Sequence, residues 1–138
     1  MRSNMSDDLD YVRQRIPTYR GYVDEPSRHD SDKRVRAIVG EALSDAQVRF
    51  GASFDAATSA AFDELLMQCM FTDQTIVRRL EHAKLDEPAI GALVASDRVL
   101  VELEEDVMNA SSVEELKSLI AAIHEQFALR HAPTQLAG

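Results

Sequence analysis

Phe62-Asp63-Glu64-Leu65-Leu66-Met67-Gln68-Cys69-Met70-Phe71 is the stretch on which the fold reading turns. From Leu65 to Phe71 every residue except Gln68 is apolar. A helix that is apolar nearly all round belongs among other helices, so this segment is expected at the centre of a bundle. Its stripe of Phe62, Leu65, Leu66, Cys69, Ile76, Val77 and Leu80 predicts a helix from Ser53 to about Lys84. At 1.5 Å per residue that helix would run about 48 Å. A bend near Phe71-Thr72-Asp73 is therefore expected, with Thr72 or Asp73 capping the restart.

Working outward, Val35, Ile38, Val39, Ala42, Leu43, Ala46 and Phe50 make an upstream apolar stripe. That helix should open near Asp24 with Pro26 in its first turn. Arg49 and Gly51 suit its end. Gly40 lies inside it, at a cost of about 1 kcal/mol relative to alanine unless it serves close packing. Downstream, Asp86 is the expected N-cap of a helix carrying Ile90, Leu93, Val94, Leu100, Leu103 and Val107 and ending near Asn109. Ser112-Val113-Glu114-Glu115 reads as a capping box. It opens a last helix on Val113, Leu116, Leu119, Ile120, Ile123 and Phe127. Near the start, Ser6 is the expected cap of a short helix that stops at about Arg15, because Pro17 biases Ile16 away from helix. Residues 16–23 then read as an ordered loop, with Gly21 supplying an unusual backbone angle.

No alternating apolar/polar run of useful length occurs, so no sheet is expected. The predicted class is all-α: a four-helix up-down bundle with an additional short N-terminal helix and ordered loop. The expected organisation is a Tyr/Arg-rich arm over 1–24, the bundle over 25–131 and a loose tail over 132–138.

The chain has 138 residues and one cysteine, Cys69. That length suits one domain with its own core. A single thiol excludes an intramolecular disulfide and fits a reducing compartment. The first ten residues hold no apolar run, which argues against a signal peptide. No stretch approaches the roughly 20 apolar residues of a membrane span. A cytoplasmic protein is expected. The net charge of −9 is unevenly spread. Residues 1–50 carry nine Lys/Arg and nine Asp/Glu, whereas 51–138 carry six and fifteen. An acidic balance of this kind argues against nucleic acid and anionic membranes as partners.

Catalytic and cofactor signatures are missing. There is no phosphate-binding glycine loop, no Gly-x-Ser-x-Gly and no His-Glu-x-x-His. Di-metal bundles use Glu-x-x-His pairs, and the sequence has none. Met67, Cys69 and Met70 are ordinary core fillers, so neither a metal nor another cofactor is expected. Asp73 and Asp97 do stand out, because each falls on an apolar stripe. A buried carboxylate needs a partner or a shifted pKa. They are expected either to pair with an arginine such as Arg34, Arg36 or Arg98, or to line a polar pocket. The acidic run Glu102, Glu104, Glu105 and Asp106 reads as a solvated helix face.

The stretch from Tyr11 to Tyr22 holds all three tyrosines, interleaved with Arg13, Arg15 and Arg20. Tyr and Arg are enriched at interface hot spots. Arg15, Tyr19, Arg20 and Tyr22 are therefore the expected partner-binding residues, unless the arm packs on its own bundle and its arginines meet the acidic helices. The function expected from these features is a non-catalytic protein-interaction or regulatory module, with a protein partner or self-association. The alternative is a small helical enzyme or ligand-binding protein with a polar pocket around Asp73 and Asp97.

Overall fold

The structure, a computed structural model, describes residues 5–70 and 85–129. Five α-helices account for most of them: α1 (Met5–Arg15), α2 (Arg28–Phe50), α3 (Ala56–Met70), α4 (Glu87–Met108) and α5 (Val113–Leu129). Short 3-10 turns at Glu25–Ser27 and Gly51–Ser53 lead into and out of α2. No strand occurs among the described residues, and the helices pack on one another as an all-α bundle.

Helix boundaries follow local chemistry. Asp86 accepts a hydrogen bond from the Ala89 N–H at 2.9 Å and caps α4, with Pro88 in the first turn. At α5, the Ser112 hydroxyl accepts from the Glu115 N–H at 3.2 Å, as the box predicts. The Glu115 carboxylate, however, accepts from the neighbouring Ser111 hydroxyl at 2.9 Å. Three starts differ from expectation. Ser6 lies inside α1, since the helix is already formed at Met5. The α2 helix opens at Arg28, because Pro26 sits in a 3-10 turn. Asp55 caps α3 by accepting from the Thr58 N–H at 2.7 Å, and that bond holds its carboxyl below the usual value. The expected bend at residues 71–73 lies outside the described residues.

Cross-helix contacts fix the directions. Arg36 reaches Gln68 and Gln47 reaches Asp63, so α2 and α3 run antiparallel. Ser96 meets Gln126 across the tight 109–112 connection, so α4 and α5 do too. Lys117 approaches Asp55, and Phe127 sits on the same arginine that reaches Gln68, so α3 and α5 are parallel. Successive helices of the bundle therefore alternate in direction. In space, α2 packs on both α3 and α4, while α4 also packs on α5 and α1.

Helix α4 thus has the most helical neighbours among the described residues, and the expected central place of Leu65–Phe71 is corrected for Leu65–Met70, Phe71 lying outside those residues. Phe62, Leu65 and Cys69 face inward, but Met67 and Met70 are 60% and 69% exposed. An apolar residue is not forced inside merely by its neighbours in sequence. The core joins Val35, Val39, Leu43, Leu93, Leu100, Leu116 and Ile123 with Val12 of α1 and with Tyr19 and Tyr22 of the arm.

Candidate functional site

The arm is part of the core. Gly21 has φ +73°, which turns the chain so that Tyr19 and Tyr22 both point inward. A Cβ at Gly21 would lie 3.0 Å from Leu9. Both tyrosines are essentially fully buried. Their hydroxyls donate to the same oxygen of Asp97, Oδ2, at 2.6 and 2.7 Å. Backbone groups of the arm are held as well. Arg13 donates to the Tyr19 carbonyl, Arg28 to the Tyr22 carbonyl and Ser31 to the Gly21 carbonyl, all within 2.9 Å.

Helix α1 is fixed by charge. Arg15 donates to both oxygens of buried Glu104, at 3.2 and 3.3 Å. Arg98 pairs with buried Asp8 at 3.1 Å and lies over the Tyr11 ring. Asp8 and hydrogen bonding hold the Arg98 guanidinium above its ordinary value. Burial, then Glu105 and Glu102, push the Tyr11 phenol up.

The expected partner-binding set therefore separates. Tyr19 and Tyr22 are interior, Arg15 is bound to Glu104, and Arg20 stays on the surface. Asp97 is buried as its stripe predicted, but tyrosines answer it. The arginines proposed as its partners bond elsewhere: Arg34 to Asp30, Arg36 to Asp32 and Arg98 to Asp8. Asp73 lies outside the described residues. Glu104 overturns the reading of the acidic run as a wholly solvated face. It falls seven residues after Asp97 and so shares its side of α4. That spacing was the signal for its burial.

A second feature lies between α2 and α3. A groove of about 610 Å³ is lined on α2 by His29, Lys33, Arg36, Ala37, Gly40, Glu41 and Ser44, and on α3 by Leu66, Cys69 and Met70. The small residues Ala37, Gly40 and Ser44 leave the α2 side shallow. A Cβ at Gly40 would sit 3.2 Å from Cys69 Cβ, so glycine permits the close approach of the two helices. Burial pushes the Cys69 thiol up to about 12. Against an ordinary 9.0, that leaves about a thousandfold less thiolate at neutral pH, so Cys69 is an apolar wall residue and not a nucleophile.

Arg36 forms the polar end of the groove. It is only 6% exposed. Nε donates to Asp32 at 2.8 Å and Nη1 to the Gln68 carbonyl at 2.8 Å. The guanidinium lies 4.8 Å from the Phe127 ring centre. Sequence reading missed this group, although Asp32 and Arg36 stand at the i,i+4 spacing of a helical ion pair. Among the described residues no cluster of His, Cys, Asp and Glu is arranged to hold a metal ion, and no helix is long and apolar enough to cross a membrane. Comparison with protein-family models, curated proteins and solved structures finds no match to this chain.

Proposed function

We propose that this chain is a non-catalytic binding module, a regulatory or interaction protein whose recognition surface is the α2/α3 groove and not the arm. The observation that carries this reading is the groove itself: an open apolar trough with a buried, immobilised arginine at one end. Exposed Met70 forms part of its apolar side, and methionine adapts readily to a bound surface. Of the two aspartates that suggested chemistry, Asp97 has a structural occupation. Asp97 receives two tyrosine hydroxyls inside the core, and the Cys69 thiol stays protonated. A partner that engages Tyr19 or Tyr22 would have to displace a buried side chain, whereas the groove is already open.

Photo-crosslinking inside cells tests the proposal. A benzophenone amino acid is placed at Ala37 in the groove or at Val48, an exposed position outside its lining. Adducts seen by intact mass at position 37 and not at 48 are expected. Equal adduct formation at both, or none at either, would count against the groove as a recognition surface.

A further inference from the structure

Resting on the groove as the binding surface, the geometry points to its occupant: we infer a small, extended amphipathic anion, an apolar chain carrying one terminal carboxylate. From His29 to Ser44 the groove follows about 22 Å of α2 at 1.5 Å per residue, an elongated shape that suits an extended chain. The volume itself lies within the roughly 300–1,000 Å³ of small-molecule sites.

Polarity runs along the channel in one direction. His29, Lys33 and Arg36 lie toward the N-terminal end of α2; because α3 runs antiparallel, Met70 and Cys69 come next, beside Ala37 and Gly40, and Leu66 follows. Glu41 and Ser44 lie at the far end. A negative head therefore belongs beside Lys33 and Arg36, and Glu41 repels a second anionic group. The head is held by a preorganised donor. Arg36 lines the groove with Nε committed to Asp32 and Nη1 to the Gln68 carbonyl, which leaves Nη2 as the atom to meet the head. Because Asp32, the Gln68 carbonyl and Phe127 already fix the guanidinium, binding costs little side-chain entropy. Asp32 also neutralises Arg36, which leaves Lys33 as the unbalanced charge and matches a monocarboxylate better than a phosphate.

The test uses full-length protein with 13C-labelled methionine methyls, titrated with decanoate below its micelle threshold. Met70 should shift saturably, while Met5 and Met108, which do not line the groove, should not. Decyltrimethylammonium should bind at least tenfold more weakly. Lys33→Glu, at an exposed position, should weaken decanoate at least tenfold with an unchanged circular dichroism spectrum, and Ala37→Trp should abolish the Met70 shift. Equal binding of the cationic amphiphile, indifference to Lys33→Glu, or no saturable Met70 shift would overturn the inference. Should the last result come with persistent cross-links at position 37, the ligand class fails while the groove reading stands.

Discussion

A carboxylate in an apolar interior must be supplied with donors, and Asp97 obtains two from residues 78 and 75 positions away. The burial of Asp97 was legible because its own helix places it between Val94 and Leu100. Its partners were not legible, because nothing local in Tyr19 or Tyr22 indicates which helix the arm will meet. Arginine was the expected partner on grounds of charge, and among the described residues two phenols donate to Asp97. A hydrogen bond to a charged group contributes about 1.5–3 kcal/mol. Tyr19→Phe and Tyr22→Phe should each destabilise the protein by about that amount in urea unfolding, with the slope unchanged. A loss below 0.5 kcal/mol for both would show that the Asp97 bonds contribute little. Gln68 offers the opposite case, since its Oε1 is buried without a partner. Gln68→Met removes that oxygen, so its melting temperature should equal or exceed that of the parent; a clear drop would contradict this.

Whole elements were easier to read than pairs, because helical periodicity and caps are local. Among the described residues the bundle helices follow their expected stripes, in α3 as far as Cys69, and Asp86 and Ser112 cap as their sequence context predicts. Gly40 has the packing role that its place inside a helix suggested. The groove was harder to foresee. It arises from small residues on α2 meeting one face of α3, and neither helix reveals it alone. Arg49 shows another limit. It has the last-turn position expected of a helix-ending cation, yet its Nη1 and Nη2 donate to the carbonyls of Ala110 and Val107 at 3.2 and 3.0 Å. It thus satisfies the open carbonyl end of a different helix, α4. Arg49→Met, which keeps much of the apolar stem, should cost about 1–2 kcal/mol. Amide exchange should rise around residues 105–110 more than elsewhere. Uniform exchange would argue that Arg49 serves only its own helix.

At the scale of the molecule, the antiparallel pairs α2/α3 and α4/α5 followed from short connections, whereas the neighbour relations did not. Two parallel helices, α2 and α4, lie side by side, and among the described residues α4 instead of α3 has the most helical neighbours. Among the described residues, charge pairing across the two parts of the sequence is limited: Arg15 meets Glu104 and Arg98 meets Asp8, while Arg34, Arg36 and Arg49 pair with aspartates of the first fifty residues.

The tyrosine pair on Asp97 has a consequence in time. Closing a loop of more than seventy residues is entropically costly, so that contact should form after the bundle helices have met. A contact absent from the transition state affects unfolding alone. For Tyr19→Phe, stopped-flow kinetics should show unfolding accelerated about ten- to hundredfold, with refolding nearly unchanged. Slower refolding would place the tyrosines in the nucleus. During synthesis the arm leaves the ribosome long before Asp97 exists. The first part of this chain to be made is therefore among the last to be seated, and until then its two tyrosines are open to whatever they meet.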